Sequence, residues 1–382
     1  MSKFDYPKNN INVILDDYLN LVNNSCKIDK VAINNFLAKS GLNLSFNEFL
    51  ILPFDKLIDY AKYFDNYKTN KILTLSAGYS KSLVDLKVEF NYSEILGTSI
   101  SPFFMKYSSL LNIKTCYYCN IDFVNSYIPF KNDYFNFFDL IRTGDIDDLT
   151  KIKGITKAYA NIIKKKCNGI LETLVDLNDK LQDYPEILTF LNNIKNSDDS
   201  IRFENLKDQK NHYTIDHILP QNEFPFFSLC LFNLIPSCYT CNSKLKKSKM
   251  LSSNYDDISK NSPTSASYSN PLEFKILYQN SFSNNNLPSQ SSQFKVQLNL
   301  ANNHSDFLNL QGRYNFHKSE SLSIINKRKI YSDSQIVEIA TYLKMDVKEI
   351  KKHLFGHLLY DDNSNEPFEK YKKDIAKQLG IL

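Results

Sequence analysis

Thr214-Ile215-Asp216-His217-Ile218-Leu219-Pro220-Gln221, then Phe232-Asn233-Leu234-Ile235-Pro236-Ser237-Cys238, then Cys241-Asn242-Ser243-Lys244-Leu245-Lys246-Lys247 is the stretch that decides how this chain is read. The run from His212 to Pro220 is strand-like, a loop follows, and the lysine-rich end reads as a basic helix. A carboxylate beside an imidazole at the end of a strand sets a metal ligand next to a proton acceptor. An asparagine at the start of the following helix can bring an amide oxygen to the same ion. Hard oxygen donors in small number suit Mg2+, which keeps water and takes phosphate oxygens for the rest.

The pair Cys238-Tyr-Thr-Cys241 has a counterpart upstream in Cys116-Tyr-Tyr-Cys119, within short apolar and aromatic runs that suggest a hairpin. Two residues between thiolates let both sulfurs turn toward one tetrahedral ion at about 2.3 Å. Four cysteines close the coordination sphere, so a zinc ion held there is structural. Residues 120–237 separate the pairs, far more than in a compact zinc ribbon, so the site clamps two distant segments around an insertion. The alternative is one or two redox C-x-x-C motifs, although neither pair has a thioredoxin-like strand–helix context. Cys26, Cys167 and Cys230 read as buried free thiols.

Asp216-His217, Asn233 and Asn242, interleaved with the two C-x-x-C pairs, resemble an HNH endonuclease of the ββα-metal class. That family's pattern is D-H, then N, then H or N inside a C-x-x-C-[HN]-x-x-K run, and Asn242 stands at its last position. The strict match covers 211–250 and the 114–122 hairpin. The resemblance implies an α+β fold, a small ββα-metal core clamped by zinc and embedded in mostly α-helical flanking regions. It implies that His217 is the general base and that Asp216 and Asn242 hold one Mg2+ or Mn2+ at the scissile phosphate. Asn233 would bond the loop backbone and fix the His217 ring. Lys244, Lys246 and Lys247 would neutralise flanking phosphates. His212 lies an odd number of residues before His217, hence on the opposite face of the strand, in a structural role. Two alternatives stay open: a zinc-stabilised DNA-binding module or scaffold without turnover, and an RNA-directed nuclease.

Between the pairs lies Asp148-Leu149-Thr150-Lys151-Ile152-Lys153-Gly154-Ile155-Thr156-Lys157-Ala158-Tyr159-Ala160-Asn161-Ile162-Ile163. Its apolar positions describe two short helices across a turn at Gly154. The spacing resembles a helix-hairpin-helix, which implies that the hairpin around Lys153, Gly154, Thr156 and Lys157 grips a duplex DNA phosphate. Lys151 and Lys164 to Lys166 would add positive charge. Thr156 stands where that family usually has glycine. The alternative is an amphipathic helical pair with a solvated lysine face.

The remaining organisation follows from composition. The chain has 382 residues, 42% hydrophobic and 13% aromatic, enough for two or three packed units. With 46 basic against 42 acidic residues the net charge is +4, so polyanion binding must come from local clusters. The expected order is a helical N-terminal domain over 1–110, the first knuckle and hairpin over 111–130, and a helical insertion over 131–210 with the hairpin motif at about 145–167. The core over 211–250, a loop-rich region with short strands over 251–330 and a helical region over 331–382 complete it. Ser/Asn/Pro-rich stretches at 252–270 and 279–294 read as exposed loops. No signal peptide and no apolar run of about 20 residues is present, so a cytoplasmic protein without membrane contact is expected. His353 and His357 sit at helical spacing where the dipole of a helix C-terminus accounts for them. The resemblance extends to restriction and anti-phage defence enzymes of bacteria and phages, some acting with an ATPase partner, and cutting both strands would need a homodimer or two nicks.

Overall fold

The computed structural model describes all residues except 1, 2, 5, 76, 77, 203, 204, 270, 271, 300–302, 362 and 363. The protein is mixed α and β, with helices dominant and the sheets small and antiparallel. It divides into two compact units. One comprises Met1–Gly97, Leu110–Val124 and Tyr213–Leu382; the other comprises Thr98–Ser109 and Asn125–His212.

The expected N-terminal domain over 1–110 is therefore not a unit of its own. Its helices are amphipathic, and their apolar faces are used within the larger unit. Ile11–Asn23 buries Ile14, Tyr18 and Val22, a spacing of four that makes one stripe. The Tyr18 hydroxyl donates to the Leu229 carbonyl at 2.7 Å. Phe54–Asp65 buries Phe54, Leu57, Ile58, Ala61 and Phe64. Phe36 stacks on Phe226 with ring centroids 5.3 Å apart. A three-stranded antiparallel sheet of Lys68–Thr69, Ile72–Thr74 and Ser80–Ser82 was not expected. Strands of two or three residues are too short to carry a legible alternation.

Within the same unit, Thr214–His217 pairs antiparallel with Leu234–Ser237, setting Asp216 opposite Ile235 and His217 opposite Leu234. The helix Thr240–Lys246 follows directly. It is wound wide: Lys247 N bonds the Asn242 carbonyl five residues back at 2.6 Å, a π-type turn. Downstream, Glu273–Tyr278 and Phe294–Asn299 form a hairpin.

The region over 251–330 is more helical than its composition suggests. Tyr255–Asn261 is a helix inside the first polar stretch, and Asn303–Phe307, Leu310–Phe316 and Lys318–Ile330 fill its end. Nor is that first stretch a free loop. The Asp55 carboxylate accepts from the Ser259 and Ser265 hydroxyls and from Ala266 N, which draws it onto the helix Phe54–Asp65.

The second unit is a helical cluster in which a short ladder joins the two ends of the segment Asn125–His212. Ser126–Tyr127 pairs with Lys210–Asn211. Its core is continuous: Phe137, Leu140, Ile141, Leu149, Ile152, Ala160 and Ile163 are fully buried. Among the described residues, no helix of the protein is long and apolar enough to cross a membrane.

Candidate functional site

Four thiols converge. Cys116, Cys119, Cys238 and Cys241 are buried, with their sulfurs all within 4.8 Å of one another. Each knuckle follows from local backbone chemistry. Cys116 N bonds the Asp122 carbonyl and Val124 N the Lys114 carbonyl, which closes a tight hairpin. Asn120, just past Cys119, takes a left-handed conformation at φ 52°, which asparagine tolerates, and its N–H returns to the Cys116 carbonyl at 2.7 Å. In the second knuckle, Cys241 N donates to Cys238 Sγ at 3.4 Å.

A tetrahedral Zn2+ with bonds of about 2.3 Å sets its sulfurs about 3.8 Å apart. Cys119 Sγ and Cys238 Sγ are 4.0 Å apart. The donor set therefore fits zinc and leaves no position for substrate. Burial pushes the Cys116 thiol well above its usual range. Burial opposes ionisation of Cys119 too. Hydrogen bonds from Cys116, Cys238 and Cys241 outweigh it, and with the Arg313 charge they hold that thiol low. Four adjacent thiols cannot all ionise without a cation among them, and a metal supplies that charge.

Asp216 and His217 lie on the strand Thr214–His217, and both are buried. His217 Nε2 lies 3.1 Å from the Ser228 carbonyl, which can only accept. The ring is therefore protonated at Nε2, and Nδ1 carries the lone pair. Burial pulls the His217 pKa down to about 4. The Asp216 charge and the Ser228 carbonyl resist this, while the charges of Lys246 and Lys87 add to it. Tyr92 meets the imidazole edge-on with ring centroids 4.4 Å apart, and its buried hydroxyl has no hydrogen-bond partner among the described residues.

The Asp216 carboxylate is held from two sides. The Tyr118 hydroxyl donates to Oδ2 at 2.7 Å. The Lys246 ammonium lies 3.2 Å from Oδ1 and 3.1 Å from Oδ2, and donates to the His217 carbonyl at 2.6 Å. Lys246 is fully buried. It is thus not among the lysines that face solvent, contrary to the expectation for a phosphate contact. An internal carboxylate needs a counter-charge, and Lys246 points inward to supply it. Lys244 and Lys247 are exposed.

Asn233 bridges the intervening loop: Oδ1 accepts from Leu219 N at 2.8 Å, and Nδ2 donates to the carbonyls of Leu219 and Phe227. That bracket shapes the segment bearing Ser228, and through it the His217 ring. Asn242 Nδ2 donates to Thr214 Oγ1 at 2.8 Å, which leaves its Oδ1 as an acceptor. A carboxylate and an amide oxygen suit a hard divalent ion. Such an ion would meet an Asp216 already paired with an ammonium.

The hairpin motif lies in the second unit. Gly154 has φ +88°, and a Cβ there would lie 2.3 Å from the Phe190 ring, so glycine is required by packing as well as by conformation. Thr156 caps the helix Lys157–Lys166, accepting from Tyr159 N. Lys153, Gly154, Thr156 and Lys157 are exposed. Three of the expected flanking cations are not free, Lys164 donating to the Gly144 carbonyl at 2.8 Å. Lys151 pairs with the buried Asp148 at 2.8 Å, and Lys166 lies 3.7 Å from Asp183. His212 is exposed in that unit, bonded through Nδ1 to Asn125 Oδ1 at 3.2 Å.

Of the three remaining cysteines, Cys167 and Cys230 are buried, but Cys26 is exposed. It sits in the turn after Ile11–Asn23, beyond the stripe that packs. Among the described residues the cysteine cluster is the one grouping of histidine, cysteine or carboxylate ligands close enough for a metal, and His353 and His357 form none.

Sequence reasoning missed Tyr92, Tyr118, Ser228, His304 and Arg313. Tyr118 sits inside the first C-x-x-C and looks like filler there. His304 is buried and bonds the Tyr118 carbonyl through Nε2 at 3.2 Å. Arg313 did carry a signal, being one of four arginines in a lysine-dominated chain. Compared with protein-family models, curated proteins and solved structures, the chain gives no match.

Proposed function

We propose that this protein is a metal-dependent endonuclease of the HNH type, hydrolysing DNA phosphodiester bonds with His217 as general base. The observation that carries the reading is the state of His217. It is neutral at physiological pH, its Nε2–H is anchored on a main-chain carbonyl, and Nδ1 is left as the basic nitrogen. An imidazole held in this tautomer can take a proton from a water attacking phosphorus. Asp216 and Asn242 would hold one Mg2+ or Mn2+, which when bound steadies charge on the scissile phosphate and the departing oxygen. Asn233 keeps the loop that carries Ser228 in shape, and Tyr92 restricts the ring. The exposed Lys244 and Lys247 would meet flanking phosphates. The hairpin at Gly154, with Lys153, Thr156 and Lys157, would add sequence-independent grip on duplex DNA. The cysteine cluster would hold the knuckles together as a zinc site.

A phage-defence or restriction role, with a partner ATPase or as a homodimer, belongs to the same reading. So does a cytoplasmic location.

The ion pair between Asp216 and Lys246 favours a second reading. A carboxylate already neutralised from within suits a zinc-stabilised DNA-binding module without turnover. Supercoiled plasmid incubated with wild type or His217→Ala, in Mg2+, Mn2+ or EDTA, decides between them. The nuclease reading expects metal-dependent nicking that the variant loses while its folding and DNA retention stay nearly intact. Retention without cutting by the zinc-loaded wild type would favour the binding module, and cutting confined to RNA would redirect the substrate.

A further inference from the structure

The helix Leu310–Phe316 touches the thiol cluster with two consecutive side chains. Arg313 Nη1 donates to Cys241 Sγ at 3.2 Å, and its Nη2 donates to Asp122 Oδ2 at 3.2 Å. Tyr314 donates to the Cys119 carbonyl at 2.6 Å and is itself buried. One guanidinium thus joins a sulfur of the second knuckle to a carboxylate of the hairpin that carries the first.

Four thiolates around a divalent ion leave two net negative charges in a buried site. A guanidinium, planar and always charged, presents parallel N–H groups and is the natural outer counter-ion. Hydrogen bonds to ligand sulfurs withdraw electron density, hold the ligand geometry and oppose protonation of the thiolate during metal loss. A surface arginine seeking only a carboxylate has no reason to bring Nη1 to a sulfur. Asp122 fixes the guanidinium plane, so the charge is aimed as well as near.

We propose that Arg313 is a positioning residue of the metal centre, the outer cation of a four-thiolate site, which makes the helix Leu310–Phe316 a third wall of the clamp. The proposal rests on the cysteine cluster being a metal site and is independent of any nuclease activity.

Zinc content and the rate of zinc release to excess EDTA, measured on the full chain, test it. Wild type should carry one zinc. Arg313→Met should release it at least about 10-fold faster, the usual scale for losing an outer-shell partner. Arg313→Lys should recover part of the difference, and Arg328→Met, at an arginine paired with Asp333, should change nothing. In Co2+-substituted protein, Arg313→Met should move the sulfur-to-cobalt charge-transfer bands to lower energy, because unbonded sulfur gives up its electrons more easily. A purely structural role would not shift those bands. Should Arg313→Met fail to fold, Asp122→Asn should produce the same changes at smaller size. Wild-type release rates and unshifted bands in either soluble variant overturn the proposal. A wild type that takes up neither Zn2+ nor Co2+ overturns the metal site beneath it.

Discussion

The thiol cluster and the Asp-His pair meet on one strand–strand–helix segment, which carries Asp216, His217 and two of the four thiols, yet they balance buried charge in opposite ways. At the cysteines, four thiols that could hold a metal ion face one another, with Arg313 hydrogen-bonded to one of the sulfurs. At Asp216 the counter-charge is already inside, in Lys246. A cluster of like ligands cannot be satisfied by protein alone, whereas a single carboxylate can. Metal removal should therefore unfold the first region and leave the local chemistry of the second intact until the fold is lost.

Breaking the first region gives the largest effect. Cys238→Ser should lose zinc and most soluble protein, since binding at structural zinc sites is worth about 10–16 kcal/mol in isolated fingers. Metal analysis together with thermal melting of the soluble fraction checks this, and a stable, zinc-replete variant would contradict it. The second region should break more gently. Lys246→Met strands a buried carboxylate and should cost about 3–5 kcal/mol in urea denaturation. Combining it with Asp216→Asn should restore most of that loss, whereas an unrestored double variant would mean that the ammonium does more than balance charge.

Acid acts on the buried histidines. The folded His217 and His304 both have pKa values pulled to about 4 by burial, below the ordinary 6.5. Between those values the unfolded chain binds protons that the folded chain excludes. Stability is thus fully present above pH 6.5 and falls as pH drops toward 4, by on the order of 3 kcal/mol per histidine. His217→Gln should flatten part of that slope and leave the share of His304, as urea melts from pH 7 to 4.5 would register. If the nuclease reading holds, the rate should also lack an acid limb near pH 6.5. The smallest effect is expected at Asn233→Ala, about 1–3 kcal/mol for the orphaned backbone groups of Leu219. Hydrogen exchange should report it first in the loop bearing Ser228.

Much of the site was legible in the linear chain. The two C-x-x-C spacings named the thiols that meet, and the Asp216-His217 strand, Asn233 and Asn242 lie within one short segment. The Leu149, Ile152, Ile155, Ala160 and Ile163 spacing marks buried positions of the second unit, but only Leu149 and the pair Ala160 and Ile163 lie on helices, Ile146–Leu149 and Lys157–Lys166, with Ile152 and Ile155 in the turn between them. What failed was the assignment of partners. Lys246 read as one more solvent-facing lysine in a basic run, and Cys26 as one more buried thiol. The division at residue 110 failed too, because an amphipathic stripe records that a face is buried and not what buries it.

Two-residue spacings, caps and left-handed asparagines act over one turn of chain, so the residue pattern alone specified the thiols and their local geometry. The counter-charges were settled by packing: which of many lysines turned inward to Asp216, and which of four arginines reached Cys241. Coulomb attraction acts through space without regard to chain separation, so its partners are chosen only when packing has brought distant segments together.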